Sequence, residues 1–223
     1  MKFENKKLLI FDLDGTLINS ALDLALAVNT MLETLERETF AEDIIHKWVG
    51  NGALTLVKRA LSGSRTVDEK LDEVYVKKAL KIFLDYYAKN LCNATVPYPH
   101  VITTLKTLKK KYTLAIVTNK PFAFVSPILK GLRMDGLFEL ILGGDSLSEK
   151  KPHPMPLLHI CEKLSVSVEA SVMVGDSKND ILAAAACGMD SVGVTYGYNY
   201  GEDIGVHKPT VVIDNFNKIL EYL

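Results

Sequence analysis

Leu8-Leu9-Ile10-Phe11-Asp12-Leu13-Asp14-Gly15-Thr16 begins with four apolar residues that run straight into two carboxylates, a glycine and a hydroxyl. An apolar run without alternation suits a strand covered on both faces, as in a parallel sheet, and the polar residues mark where that strand stops. The pattern recurs along the chain. Leu114–Val117 runs into Thr118-Asn119-Lys120, Leu140–Leu142 into Gly143-Gly144-Asp145, and Val172–Val174 into Gly175-Asp176-Ser177-Lys178-Asn179-Asp180. Val192–Val194 and Val211–Ile213 are two further apolar runs. Helix-like stretches lie between them: Val101–Lys110, Phe122–Leu132, Met155–Leu164, Asp180–Cys187 and Phe216–Leu223. Strand and helix in alternation predict an α/β fold with a doubly wound, mostly parallel, Rossmann-like sheet.

The stretch after the first strand breaks this rhythm. It carries helical apolar spacing (Leu22, Leu24, Leu26, Val28, Met31, Leu32, Leu35, then Leu71, Val74, Val76, Leu80, Phe83, Leu84) and no convincing strand. Gly50-Asn51-Gly52 and Ser62-Gly63-Ser64 read as breaks between helices, and Pro97-Tyr98-Pro99 as a stiff return. We therefore expect an α/β core formed by residues 1–19 and 97–223, with an all-helical insert over residues 20–96.

Composition narrows the classes of function. The chain has 223 residues, 48% apolar and 24% charged, which is ordinary for a globular protein with one sizeable core. Its formal net charge of −1 makes no electrostatic case for a nucleic acid or an anionic membrane as partner. The basic run Lys106, Lys109, Lys110, Lys111 suits the C-terminal end of a helix. Three cysteines without a C-x-x-C pair predict no disulfide framework, and five scattered histidines predict no zinc site. The apolar run that precedes Asp12, Leu8–Phe11, is only four residues long, too short for a signal-peptide core. The expectation is a cytoplasmic protein, monomeric or homodimeric.

In an open α/β sheet, ligands bind beyond the carboxyl ends of the strands. Here those ends would bring together Asp12, Asp14, Thr118, Asn119, Lys151 (from Lys150-Lys151-Pro152-His153-Pro154), Asp176 and Asp180. Crowded carboxylates call for a cation, and oxygen ligands favour Mg2+. Mg2+ beside a hydroxyl and an ammonium suits a phosphoryl group under attack. Taken singly, each piece has a plainer explanation. Asp14-Gly15 is a turn signal, Thr118-Asn119 suits a helix cap, Lys151 suits the surface, and Asp176 and Asp180 suit a helix N-terminus.

Taken jointly, the residues resemble those of the haloacid dehalogenase-like hydrolase superfamily along the whole chain. Asp-x-Asp-Gly-Thr matches residues 12–16, the Thr after a strand matches Thr118, the Lys before Pro matches Lys151, and Gly-Asp-x-x-x-Asp matches residues 175–180. The helical insert looks like a type 1 cap. Trp48-Val49-Gly50-Asn51-Gly52, Thr118-Asn119-Lys120-Pro121, Lys151-Pro152-His153-Pro154 and Tyr196-Gly197-Tyr198-Asn199-Tyr200-Gly201 are similar to phosphoglycolate phosphatases within it.

The resemblance implies a Mg2+-dependent phosphatase of a small phosphorylated metabolite. Asp12 would be the nucleophile that forms an aspartyl-phosphate, and Asp14 the acid and base. Mg2+ would be held by the Asp12 side chain, the Asp14 carbonyl and Asp176, with Asp180 behind, orienting a bound water or bracing Lys151. Leu13, Thr118, Asn119 and Lys151 would bind phosphoryl oxygens. Gly50 and Asn51 are candidates to meet a small carboxylate, a plain helix–helix turn being the alternative, and Lys150 is expected at the surface. Tyr196–Gly201 would line the entrance or pack at its rim. A phosphatase of another small ester or of pyrophosphate, a sugar phosphomutase and, from a different class, a receiver-like phosphoacceptor domain are the alternatives.

Overall fold

A computed structural model describes residues 3–223. The chain begins with β1 (Leu8–Phe11) and β2 (Ile18–Asn19), followed by helices α1 (Ala21–Thr34), α2 (Glu42–His46), α3 (Ala53–Ser62) and α4 (Glu73–Lys89). It continues with β3 (Val96–Pro97), α5 (Val101–Leu108), β4 (Thr113–Val117), α6 (Phe122–Gly131), β5 (Leu140–Leu142) and α7 (Met155–Leu164). β6 (Ser171–Gly175), α8 (Lys178–Cys187), β7 (Asp190–Val194) and β8 (Val211–Ile213) complete it, with short 3-10 segments near the end.

Six of the strands form one parallel sheet in the order β5-β4-β1-β6-β7-β8. Counted along the chain, those six lie in the order 3-2-1-4-5-6, a doubly wound sheet whose winding reverses beside β1 and opens a crevice at the strand carboxyl ends. Leu9 and Phe11 pack with α5 and α6 on one face, while Leu8 and Ile10 pack with α7 and α8 on the other. Burial on both sides is why the strands read as continuous apolar runs. α8 supplies Ala183 and Ala184 to that contact, small side chains that let the helix sit close to β6.

The helix expected over Phe216–Leu223 is instead a 3-10 segment, Phe216–Glu221. Its two buried residues, Phe216 and Ile219, are three apart and so share one side of a three-residue turn.

α1 to α4 build a second apolar cluster of their own. Leu24, Val28, Met31 and Leu32 of α1 are buried, spaced as one helical face requires. Leu22 and Leu26, two residues from Leu24, point away and are 42% and 45% exposed. The chain leaves the sheet through β2 and returns through β3, which pair antiparallel (Ile18 with Pro97, Asn19 with Val96). This ribbon has no sequence signature, being two residues wide and carrying a proline at its edge. Asp23, buried in the first turn of α1, accepts hydrogen bonds from Ala94 N, Thr95 N and Thr95 Oγ1 at 2.6–3.1 Å and pins the returning strand. Among the described residues no helix is long and apolar enough to cross a membrane.

Candidate active site

β1 delivers Asp12 into the crevice, where the Asp12 N–H still donates to Val174 O of β6 at 2.9 Å. The chain then turns sharply, and the N–H groups of Thr16, Leu17 and Ile18 all donate to Leu13 O. Gly15 sits at φ +86°, and a Cβ there would run into the Asp176 carboxylate. The Asp-Gly turn is therefore also the place where the β1 loop touches the β6 loop.

Asp176 is buried, accepting Thr16 Oγ1 (2.8 Å) on one oxygen and Tyr198 N (2.7 Å) on the other. Asp180 is fully buried at the start of α8. Its Oδ2 accepts from Ser177 N and Ser177 Oγ at 3.0 Å, and its Oδ1 accepts from Lys151 Nζ at 2.6 Å. It serves both as the helix-terminal acceptor its position suggests and as a brace for the lysine. Lys151, itself buried, also stands 3.0 Å from Asp12 Oδ1 as an ion pair, and no other donor reaches that buried oxygen.

Carboxylate oxygens of Asp12, Asp176 and Asp180 all lie within 4.8 Å of one another. Burial, only partly offset by Lys151 and reinforced by the charges of Asp180 and Asp14, pushes the Asp12 carboxyl up to about 7. Burial and the charges of Asp12 and Asp180 push Asp176 up to about 8. Burial also works against the Lys151 ammonium, but the fields of Asp12 and Asp180 outweigh it and hold its pKa above the ordinary lysine value. One lysine among these carboxylates leaves a surplus of negative charge. The Asp12 oxygen that only Lys151 meets and the acidic cluster fit a small hard cation, which Asp12 and Asp176 could hold. Asp180, with both oxygens already bonded, stands behind them.

Thr118 follows β4, is buried, and accepts Lys120 N on its Oγ1 at 3.2 Å. Asn119 donates from Nδ2 to Gly50 O and to Lys151 O, each at 3.0 Å, so it ties the helical insert to the lysine loop. Asp14 accepts Ser20 Oγ at 2.6 Å and Lys120 Nζ at 3.0 and 3.1 Å. Lys120 in turn donates to the hydroxyl of Tyr87, in the last turn of α4, at 2.7 Å. Burial pushes the Tyr87 phenol up to about 12, so it keeps its proton at neutral pH.

A cavity of about 40 Å3 lies between the strand ends and the insert, room for a few waters at roughly one per 10–15 Å3. Asp12, Asp14, Thr118, Asn119 and Lys120 form its polar floor, and Leu24, Val49, Leu56, Phe83 and Phe124 contribute apolar walls. Gly50 lines it as well. The Gly50 carbonyl accepts from both Asn119 and Asn179, and a Cβ at this residue (φ +121°) would meet the Tyr200 hydroxyl at 2.8 Å. Asn51 lies on an open groove outside the cavity, with its Oδ1 on Tyr200 OH (2.7 Å) and its carbonyl on Lys150 Nζ (2.7 Å). Lys150, expected at the surface, is half-buried because it reaches across to the insert.

The three tyrosines of Tyr196–Gly201 do not line the cavity. Tyr196 donates to Thr16 O, Tyr198 OH accepts from Ser20 N, and Tyr200 OH accepts from Asn179, so they brace the loops from behind. Lys120, Tyr87 and Ser20 had no assigned part in the sequence reading. Lys120 is adjacent to Thr118-Asn119, which was its one available signal; Tyr87, four residues after Phe83, reads as a core aromatic.

A family model described as haloacid dehalogenase-like hydrolase matches residues 9–194. The phosphoglycolate phosphatase of Colwellia psychrerythraea is 56% identical over 99% of this chain and 98% of its own length. That of Psychrobacter arcticus is 49% identical over 98% and 96%. The crystal structure of a predicted phosphoglycolate phosphatase from Haemophilus somnus 129PT superposes with a TM-score of 0.92 at 44% identity, over 97% of each chain.

Proposed function

This chain belongs to the haloacid dehalogenase-like hydrolase family, and from that premise we propose that it hydrolyses a small phosphate monoester, 2-phosphoglycolate first among candidates, in two steps through Asp12. The observation that carries the reading is the buried Asp12 oxygen, met only by the Lys151 ammonium and placed in one cavity with Asp14 and Thr118. Relatives named phosphoglycolate phosphatase at up to 56% identity over nearly the whole chain support the choice of ester.

In the first step Asp12 attacks phosphorus, the bond to the ester oxygen breaks, and Asp14 gives the departing alkoxide its proton. In the second, Asp14 takes a proton from water as that water attacks the aspartyl-phosphate, releasing phosphate and restoring Asp12. Thr118 and the backbone N–H groups of Leu13 and Asn119 hold the phosphoryl oxygens, and Lys151 balances their charge. Lys151 is kept in place by Asp180, which stops it from collapsing onto Asp12 alone. Mg2+, bound by Asp12, the Asp14 carbonyl and Asp176, would supply charge neutralisation between nucleophile and phosphate. The helical insert acts as a cap over the leaving group, and the small cavity favours a short one.

The test is phosphate release with Mg2+ from 2-phosphoglycolate, a sugar phosphate, a nucleotide and pyrophosphate. Preference for 2-phosphoglycolate is expected, together with loss of release in Asp12→Asn. A flat profile would remove the substrate assignment, and full turnover by Asp12→Asn would remove the nucleophile.

A further inference from the structure

Among the described residues, Lys120 is the one cation that lines this cavity; Lys151, also buried, lines the neighbouring open groove, with its Nζ 3.0 Å from Asp12. Its backbone is fixed at the sheet edge, where Lys120 O accepts from Gly144 N at 2.8 Å. Its side chain runs beneath the insert and ends between Asp14 and the Tyr87 hydroxyl, 4.7 Å from the Tyr87 ring centroid. Tyr87 is itself held rigidly, stacked on Phe83 (5.8 Å, 13°) and set edge-on to Phe124 (5.3 Å, 89°). A buried ammonium is costly unless an anion pairs with it, and Asp14 fills that part here while the Tyr87 hydroxyl accepts a further hydrogen bond from it.

We infer that Lys120, together with the Tyr87 hydroxyl, is the specificity-determining pair that receives a carboxylate carried by the leaving group. The inference rests on the phosphatase reading above and names the part of the cavity that reads the ester. Charge comes first: Asp12 and Asp14 already make the cavity floor anionic, so a second anion beyond the phosphate can enter only beside a cation. Position agrees. Asp14, which serves the ester oxygen, touches Lys120 Nζ, and in a 2-phospho acid the carboxylate carbon is two bonds from that oxygen. Donors agree as well. Tyr87 accepts its hydrogen bond from Lys120 and retains its own proton to give to a carboxylate oxygen. A substrate carboxylate on Nζ also competes with Asp14, which frees that side chain to turn to the ester oxygen.

The experiment compares kcat/KM for 2-phosphoglycolate with that for ethyl phosphate, its near-isostere without the carboxylate, using the full chain with Mg2+. The wild type should prefer 2-phosphoglycolate. Lys120→Met should cut that preference on the order of a hundredfold, mainly through KM for 2-phosphoglycolate, and Lys120→Arg should restore part of it. Tyr87→Phe keeps the ring packing and should cut the preference about fivefold, so the inference stays testable if Lys120→Met does not fold. An unchanged preference in both variants overturns it. Equal losses on both esters in Lys120→Met would assign Lys120 to Asp14 alone and overturn it too. A wild type indifferent to the carboxylate overturns the inference but leaves the phosphatase standing, whereas no phosphate release from any ester overturns the phosphatase reading itself.

Discussion

Among the described residues two lysines, Lys120 and Lys151, are buried, and they carry the same charge into different neighbourhoods. The Lys151 ammonium is paired by the core alone, with Asp12 from the β1 loop at 3.0 Å and Asp180 at the start of α8 at 2.6 Å. Lys120 is shared: Asp14 belongs to the core, but Tyr87 belongs to the last helix of the insert. The first environment is complete on the sheet edge itself, while the second is complete only with α4 seated over β4. The difference teaches a division of labour. In the function proposed above, the groups for phosphoryl transfer would be built into the sheet, and those that read the leaving group would be divided between sheet and insert, where substitution in one helix could retune them.

The sharpest way to break this comparison is to remove the core lysine. Lys151→Met leaves Asp180 and Asp12 buried without their cation, and its expected cost is about 3–5 kcal/mol in urea unfolding, together with loss of turnover. A variant as stable as the wild type would mean that the core pair is not the closed unit described. Next comes Asp14→Asn, which keeps Ser20 and Lys120 as neighbours; turnover should fall roughly a hundredfold or more with the melting curve little changed. Retained turnover would take the acid–base role from Asp14.

The third effect separates the acidic cluster from the insert. Asp12 and Asp176 have pKa values of about 7 and about 8 in the folded chain, above the ordinary carboxylate value of 3.8. Protonation therefore favours the folded state. The contribution of these two groups is fully present below that ordinary value and is lost as pH rises through 7 to 8. A divalent cation favours the ionised form, so the rise in melting temperature on adding Mg2+ should be larger at pH 8 than at pH 5. The opposite order would exclude these carboxylates as the ion's site. The smallest effect is expected where the Tyr196–Gly201 loop of the core meets the insert. Tyr200→Phe removes the hydroxyl shared by Asn179 and Asn51, worth about 1 kcal/mol, and should raise KM a few-fold with kcat kept. A large fall in kcat instead would join this contact to the chemistry.

Much of the sheet was legible because its strands are buried on both faces and must therefore be apolar throughout. The runs Leu8–Phe11, Leu140–Leu142 and Val211–Ile213 coincide with β1, β5 and β8 residue for residue. The juxtaposition of Asp12, Asp176 and Asp180 was legible for a related reason, since polar residues that end parallel strands must share one edge. The insert was legible as helices but not in how it faces the core. Leu22 and Leu24 carry the same side chain, and only packing decided that one is exposed and the other buried. Lys150 looked like a surface residue because nothing beside it in the chain signals that Asn51 comes within 2.7 Å.

The sequence by itself determined where the six strands of the main sheet lie, which polar groups end them, and hence that several carboxylates, a hydroxyl and a lysine converge on one sheet edge. These properties follow from short-range pattern, the period of apolar residues and the chemistry of the residue that stops each run. The tertiary structure alone decided which partner each of those groups takes. Lys120 lies 106 residues from Asp14 and 33 from Tyr87 along the chain. Contacts at such separations depend on how one packed unit seats on another, through complementary shape and the balance of buried charge, and no local pattern of residues encodes that.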